Sequence, residues 1–175
     1  SLLKMGTVII VVIFQPEIRK LFLRLGQSNW SKFGSRLENT SIEEILEAAE
    51  WLAKEKRGML VVFERQSQLE TSTLVRLDTI LNADISKELL QTIFATDTPL
   101  HDGACLVKDG KLVAANCYIN SLSEDYSIKQ SFGTRHRAAL GLCEASDAVA
   151  LIVSEETGAI SLAYDSKLNY DLKIS

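Results

Sequence analysis

Two ionisable side chains stand next to each other in an apolar part of this sequence. His101 and Asp102 directly precede a Gly-Ala pair and an apolar run in the segment TPLHDGACLV (98–107). A carboxylate beside an imidazole can hold a divalent cation or accept the proton of a hydroxyl group. A single Asp-Gly pair is more commonly a chain turn, so this stretch alone leaves both interpretations open.

The stretch GTRHR (133–137) places cations at the start of a predicted helix, with Thr134 as its capping residue. Arg135 and Arg137 then lie in the first turn, where each cation opposes the helix dipole by about 0.3–1 kcal/mol. This placement becomes favourable when an anion binds, and free backbone N–H groups, a hydroxyl and two guanidinium groups together suit a polyphosphate. Alternatively, the arginines extend into solvent or pair with surface carboxylates.

A third stretch, SEETG (154–158), carries two consecutive carboxylates after a predicted strand. Alone, it is typical of a solvated turn. The common Gly-rich phosphate loops, G-x-x-x-x-G-K-[ST] and G-x-G-x-x-G after a strand, are absent from the sequence, so a nucleotide site must be built differently. Because all three stretches lie at the ends of predicted elements, we hypothesise that they form one site with acids, metal ligands and a phosphate clamp.

The elements that must position these stretches alternate between helices and strands. SIEE is a capping box that predicts a helix beginning at Ser41 and ending at Gly58, and Ser86 caps a second, short helix. The remaining predicted elements are a strand at 59–63, a hairpin over 104–119 around an Asp-Gly turn, a helix over 135–146, and strands at 148–153 and 159–163. We therefore expect an α/β fold with a mixed central β-sheet flanked by α-helices.

Length and composition limit the number of domains and the classes of partner that this chain can have. A chain of 175 residues that is 46% hydrophobic is long enough for one domain with a substantial core. A formal net charge of −4 argues against a nucleic-acid partner, which normally requires a basic face. Cys105, Cys117 and Cys143 form no C-x-x-C pair and are odd in number. We therefore expect these cysteines to be small buried residues and the domain to work in a reducing cytoplasm.

The N-terminal segment has its own pattern. LLKMGTVIIVVIF (2–14) is shorter than the roughly 20 apolar residues that cross a bilayer, so it is either a buried element of the domain or the end of a membrane helix. The basic amphipathic segment PEIRKLFLRLG (16–26) favours the second interpretation. We expect a membrane remnant and interfacial segment at 1–26, a linker at 27–40 and the folded domain at 41–175.

The motifs PLHDGA, FGTRHRAALG and VSEETGAIS together resemble the diadenylate cyclase (DAC) domain, in its membrane-anchored bacterial branch. The resemblance covers roughly residues 1–165. It implies a nucleotidyltransferase that condenses two ATP molecules into the second messenger cyclic di-AMP and releases two pyrophosphates at a face-to-face homodimer. It also implies a cell-membrane protein with a cytoplasmic catalytic domain, and it leaves room for a membrane-bound regulatory protein as a partner.

The resemblance further implies roles for individual residues. Asp102 would activate the ribose 3′-hydroxyl, while His101 and Glu156 would bind Mn²⁺ or Mg²⁺ near the α-phosphate, with Glu155 as the weaker metal candidate. The residues that would hold the triphosphate are Thr134, Arg135, His136 and Arg137, with Ser154 assisting. Those that would lie against the nucleoside are Gly103, Ala104, Tyr118 and Ile119, with the Tyr118 ring stacked on adenine. Ile119 stands where the family usually has leucine, and a familiar proline nearby is missing.

Two other functions are compatible with these residues. One is a catalytically silent nucleotide sensor on the same fold, and the other is a transferase that passes a group from ATP to a non-nucleotide acceptor. Asp102 argues against the sensor, because a protein that only binds ATP does not need a carboxylate that activates a hydroxyl. The product formed from ATP and Mn²⁺ distinguishes the three functions.

Overall fold

The computed structural model describes residues 39–173. Its helices are α1 (Asn39–Lys54), α2 (Lys87–Ile93), α3 (Tyr126–Ser131) and α4 (Thr134–Ala145), and its strands are β1 (Met59–Phe63), β2 (Val75–Arg76), β3 (Thr79–Ala83), β4 (Ala104–Lys108), β5 (Lys111–Ile119), β6 (Val149–Val153), β7 (Ile160–Tyr164) and β8 (Lys167–Leu172). The predicted membrane segment 1–26 lies outside the described residues, as does the linker up to residue 38. Between residues 39 and 173, no helix is long and apolar enough to cross a membrane.

The eight strands of the described region form one sheet. Its order is β2-β5-β4-β1-β6-β7-β8, with β3 paired to β5 as well. β1 and β4 are parallel, whereas the other neighbours are antiparallel. All five residues of β1 and of β6 are buried, as expected for apolar runs at the centre of a sheet that is covered on both faces. The prediction of a mixed central sheet flanked by helices is confirmed.

Helices cover both faces of the sheet. On one face, α1 and α2 pack against the strands and bury Leu52, Leu90 and Phe94. On the other face, the α4 residues Ala139 and Leu142 pack against a second group of strand side chains. These two apolar layers hold the sheet between the helices.

The three cysteines take part in this packing. Cys105, Cys117 and Cys143 are all free, and all three are buried, which confirms the predicted burial. Burial raises the pKa of the Cys117 and Cys143 thiols to about 12, so both are uncharged at neutral pH.

Local signals explain several elements. Asp109 (φ 51°) and Gly110 (φ 77°) adopt positive φ angles between β4 and β5, as a tight hairpin turn requires. Ser86 caps α2, because its hydroxyl accepts a hydrogen bond of 3.2 Å from the Leu89 amide. Both predictions from the sequence are confirmed.

Three predicted helix boundaries are wrong. α1 begins at Asn39, so Ser41 lies inside the helix and does not cap it. The same helix ends at Lys54 rather than Gly58, and Lys56 adopts the left-handed conformation just after it (φ 50°). In α4, Thr134 is the first helical residue, and the N-cap is Gly133.

The sheet topology brings the ends of three strands together. β1 lies between β4 and β6, with Val61 beside Cys105 in the parallel pair and Met59 beside Val153 in the antiparallel pair. The start of β1, the start of β4 and the end of β6 therefore share one edge of the sheet. This edge positions the segments LHDG and SEETG on either side of Gly58.

Candidate active site

A pocket of about 360 Å³ lies at this edge of the sheet and opens beside the first turn of α4. Six residues predicted for the site line it: Asp102, Thr134, Arg135, His136, Ser154 and Glu156, together with the weaker metal candidate Glu155. The fold thus brings together the three polar stretches of the sequence, although they are distant along the chain. His101, Gly103, Ala104, Tyr118, Ile119 and Arg137 are not among the lining residues.

The N-terminus of α4 is open toward the pocket. Its N-cap, Gly133, makes no capping hydrogen bond through a side chain, and the first turn contains no acidic residue. Gly133 has an ordinary φ of −73°, and a Cβ atom added there would meet nothing within 4 Å. The protein's own packing therefore does not require this glycine. Free amides beside open space suit an anion such as a phosphate group.

Arg135 connects the three stretches. Its Nη1 donates a hydrogen bond of 2.8 Å to Glu155 Oε2, and its Nη2 donates one of 3.2 Å to the carbonyl oxygen of His101. The side chain is 19% exposed, and its buried Nε finds no hydrogen-bond partner within the described part of the chain. The guanidinium group is therefore fixed at the pocket wall with hydrogen-bonding capacity left over.

Arg137 differs from Arg135, although both belong to the same motif. Residues two apart on a helix project in nearly opposite directions, and Arg137 does not line the pocket. Its carbonyl accepts a hydrogen bond of 3.0 Å from the Ser123 amide, on the side of α4 that faces the chain around residues 121–123. The geometry thus favours Arg135 over Arg137 as the cation of this pocket.

His136 forms part of the pocket floor. It is 4% exposed, its ring centroid lies 5.2 Å from that of Phe132, and its Nε2 lies 3.5 Å from the Ser161 hydroxyl. Burial, together with the charge of Arg135, lowers the pKa of His136 below its ordinary value. The ring is therefore neutral at pH 7 and offers a phosphate no positive charge.

His101 and Asp102 form a pair of possible metal ligands. Nδ1 of His101 lies 2.5 Å from the carbonyl oxygen of Thr98, which can only accept, so Nδ1 carries the proton. Nε2, which lies 3.5 Å from Asp102 Oδ1, is then the ring nitrogen that can offer a lone pair to a cation. A divalent cation between these two atoms would be bound by both. A backbone carbonyl that fixes the tautomer in this way is typical of metal-binding histidines.

The acidic residues after β6 divide between two roles. Glu155 pairs with Arg135, whereas Glu156, the predicted metal ligand, lines the pocket with an exposed side chain. Within residues 39–173, no group of three or more His, Cys, Asp or Glu side chains lies close enough to hold a metal ion. The pair His101 and Asp102 fits a divalent cation whose other ligands come from substrate phosphates and water, as is usual for Mg²⁺ and substrate nucleotides.

Ser154 organises the turn that carries these acids. Its hydroxyl oxygen accepts hydrogen bonds of 3.3 Å from the amides of Glu156 and Thr157. Gly158 closes the turn with a φ of 75°, and a Cβ there would lie 2.5 Å from the carbonyl oxygen of Ala53. The Ser154 hydroxyl keeps its own proton available for donation to a ligand in the pocket.

The residues predicted to lie against the nucleoside are separate from the pocket. Gly103 has a φ of 79°, and a Cβ there would lie 2.6 Å from the Cys117 carbonyl oxygen, so the fold itself requires this glycine. Ala104 and Ile119 are 1% and 7% exposed, which leaves only their backbone for contact with a ligand.

Tyr118 is the exposed member of this group. Its ring is 56% exposed and lies under the Arg76 guanidinium, whose Cζ is 5.1 Å from the ring centroid. Because Ala104 pairs with Cys117, Tyr118 is at the same end of the sheet as Asp102.

Sequence reasoning missed several residues of the site, of which three are in contact with its predicted members. Phe132 and Tyr170 line the pocket with ring centroids 4.9 Å apart, and Gly58 lies under the Arg135 guanidinium. Phe132 directly precedes GTRHR and could have been noticed there. Nothing near Gly58 or Tyr170 in the sequence links either residue to this pocket.

The fold and the site together define an α/β domain with a polar pocket at an open helix N-terminus, where Arg135 and the free first-turn amides suit a phosphorylated ligand. A family model described as DAC, DisA bacterial checkpoint controller nucleotide-binding, matches residues 46–168. The chain belongs to this family.

Known relatives agree with this assignment. The chain is 40% identical over 171 residues to the cyclic di-AMP synthase CdaA of Bacillus subtilis, covering 95% of this chain and 62% of that protein. Among solved structures, a hypothetical membrane spanning protein from Bacillus cereus matches with a TM-score of 0.70 and 43% identity, covering 75% of this chain and 63% of that one. A double cysteine mutant of DacA from Staphylococcus aureus matches with a TM-score of 0.69 and 41% identity, covering 75% and 86%.

Proposed function

We propose that this protein is a diadenylate cyclase that condenses two ATP molecules into cyclic di-AMP with release of two pyrophosphates. The observation that carries the proposal is the pocket in which LHDGA, GTRHR and SEETG meet, with Arg135 hydrogen-bonded across it. The relative CdaA is named a cyclic di-AMP synthase, and this chain spans 62% of the length of that protein.

In this proposal the triphosphate lies at the N-terminus of α4. The first-turn amides, the Thr134 hydroxyl and the Arg135 guanidinium bind the phosphate oxygens, and Ser154 donates from the facing turn. Arg137 takes a supporting role, because it lies outside the pocket lining. His136 acts as a neutral, buried support for the first turn.

The adenosine part of the bound ATP extends along the sheet edge toward Tyr118. The exposed ring supplies a stacking surface for adenine, and the backbone of Ile119 supplies hydrogen-bonding groups. The backbone at Gly103 and Ala104 lies between the Tyr118 ring and the pocket. An ATP molecule that spans the two would therefore place its ribose next to Asp102.

Asp102 acts on the ribose 3′-hydroxyl. As the 3′-oxygen attacks the α-phosphorus of the second ATP, a bond forms between them, and the bond from that phosphorus to the bridging oxygen of pyrophosphate breaks. Asp102 accepts the hydroxyl proton. A second, equivalent step closes the ring. Positioning and charge neutralisation provide most of the catalysis in phosphoryl transfer, and Arg135 contributes to both.

A divalent cation, Mn²⁺ or Mg²⁺, would supply further charge neutralisation at the α-phosphate. His101 Nε2 and the Asp102 carboxylate are the residues that would hold it, while Glu156 lines the pocket without forming a three-residue metal group with them. Oxygen ligands suit both ions, and the imidazole adds a preference for the transition metal.

The productive unit is a homodimer in which two ATP sites face each other. One protomer with one ATP cannot supply both the hydroxyl and the α-phosphate of a cyclic product. The Asp102 side chain is 81% exposed and so can reach a nucleotide presented by the partner. We further propose that residues 1–26 anchor the protein at the cell membrane, that residues 27–40 include a linker, and that the domain from 41 onward is cytoplasmic.

Replacement of Asp102 by Asn tests the proposed chemistry, because Asn keeps the size of the side chain and removes the charge. ATP should bind within about tenfold of the wild-type affinity, or 1.4 kcal/mol, while cyclic di-AMP formation falls at least about a hundredfold. Asp97→Asn is the matched control, since Asp97 is exposed in the same loop, outside the pocket, and its φ of 65° suits Asn. An Asp102→Asn variant with full cyclase activity would refute the role of this carboxylate.

A further inference from the structure

We propose that Gly58 is a positioning residue whose missing side chain creates the seat of the Arg135 guanidinium. Gly58 directly precedes β1, the strand between β4 and β6. The inference rests on the proposed function, in which Arg135 binds the triphosphate.

The guanidinium group of Arg135 crosses over the start of β1. One nitrogen donates to Glu155, which follows β6, and the other donates to the carbonyl oxygen of His101, which precedes β4. Because β1 lies between these two strands, a group that reaches both sides must pass directly over Gly58.

Space for this crossing exists only while residue 58 has no side chain. A Cβ on Gly58 would lie 2.3 Å from Nη1 and 2.7 Å from Cζ of Arg135, and 3.1 Å from Oε2 of Glu155. Optimal contacts of non-bonded carbon atoms are at about 3.5–4.0 Å, so the first two distances cannot be tolerated. A single methyl group at position 58 would therefore displace the guanidinium and disturb its pairing with Glu155.

The backbone gives no other reason for glycine at this position. Among the described residues, the glycines with positive φ are Gly103, Gly110 and Gly158, and Gly58 is not one of them. Alanine is thus compatible with the backbone conformation at Gly58. The atoms that would collide belong to the end of a long side chain, so Arg135 can move away while β1 stays in place.

The displaced arginine would lose the position from which it binds phosphate. In Gly58→Ala, Nη1 and Nη2 can no longer reach both Glu155 and the His101 carbonyl while the guanidinium faces the pocket. We expect nucleotide affinity to fall at least about tenfold, the lower range for one hydrogen bond to a charged group. The melting temperature should change little.

A double-mutant cycle tests whether Gly58 affects nucleotide binding through the position of the Arg135 guanidinium. 3′-Deoxy-ATP serves as the probe, because it lacks the attacking hydroxyl and is not consumed. Its dissociation constant is measured for the wild-type chain, Gly58→Ala, Arg135→Ala and the double variant. Gly58→Ala should weaken binding at least about tenfold in the wild-type background and less than about twofold in the Arg135→Ala background, since the collision is then absent. Arg57→Ala controls for loss of a neighbouring cation outside the pocket lining.

The outcomes separate this inference from the proposed function. Wild-type affinity in Gly58→Ala, or the same loss of affinity in both backgrounds, would overturn the proposal that Gly58 positions the Arg135 guanidinium. A crystal structure of Gly58→Ala with Arg135 still paired to Glu155 would also overturn it. Unchanged affinity in Arg135→Ala would instead overturn the phosphate clamp of the proposed function. If Gly58→Ala does not fold, the double variant must fold, and failure of both would refute the steric explanation.

Discussion

The two arginines of the GTRHR motif should differ in their effect on nucleotide binding. Arg135 lines the pocket and is held there by Glu155 and the His101 carbonyl, whereas Arg137 projects to another side of α4. A hydrogen bond to a charged group contributes about 1.5–3 kcal/mol. Arg135→Ala should therefore weaken 3′-deoxy-ATP binding by about 10-fold to 150-fold. Arg137→Ala should have a smaller effect.

Stability should hardly change in Arg135→Ala, because two small effects oppose each other. Loss of the ion pair with Glu155, whose side chain is 64% exposed, costs at most about 1 kcal/mol. Removal of a cation from the first turn of α4 restores about 0.3–1 kcal/mol. The net change corresponds to a melting temperature within about 4 °C of wild type.

Isothermal titration with 3′-deoxy-ATP and a thermal melt of each variant measure both quantities. Equal affinity losses in Arg135→Ala and Arg137→Ala would contradict the geometric distinction between the two residues. Loss of affinity together with loss of the folded state would show that Arg135 acts through the fold, and the phosphate-clamp assignment would lose its support.

Three further predictions concern the metal, the dimer and pH. His101→Ala should lower cyclic di-AMP formation, and added Mn²⁺ should partly restore it, because mass action offsets a weakened metal affinity but not a lost base. Specific activity should fall on dilution, since the productive unit contains two protomers. Stability should decrease as pH falls below about 6.5, the ordinary pKa of histidine, because burial lowers the pKa of His136 and the unfolded chain then binds more protons than the folded one. Above that pH this contribution should be fully present.

Each of these predictions has a distinct control. A His101→Ala enzyme whose activity ignores the Mn²⁺ concentration would remove that histidine from the metal site. Constant specific activity in a preparation shown to be monomeric would contradict the dimer. His136→Gln should flatten the stability profile between pH 6.5 and the lower folded pKa of His136. A slope that is unchanged in this variant would assign the pH dependence to other groups.

The sequence predicted the centre of the fold better than its edges. β1 and β6 are continuous apolar runs, and the hairpin turn contains an Asp-Gly pair, so local patterns were sufficient for these elements. β8 has the polar sequence KLNYDL and lies at one end of the sheet, where only one neighbouring strand is needed. Such a strand forms through its pairing with β7 and carries a weak signal of its own.

The site was predictable as a group of motifs and not as a geometry. The side-chain types of His101, Asp102 and Arg135 indicated the chemistry before any contact was known. The burial of His136 and the seat provided by Gly58 depend on packing between segments far apart in sequence, which no local pattern reveals. Thr134 was mistaken for the cap because a hydroxyl at a helix start usually is one, whereas this helix begins at an uncapped glycine.

The central claim is that the pocket joins two ATP molecules, and the products formed from ATP test it most directly. The wild-type chain is incubated with ATP and Mn²⁺, and the nucleotide products and pyrophosphate are quantified by chromatography and mass spectrometry. The account predicts one cyclic di-AMP and two pyrophosphates for every two ATP consumed, with no AMP attached to another acceptor. ATP that binds and remains unchanged, or a product that contains a single adenosine, would contradict it.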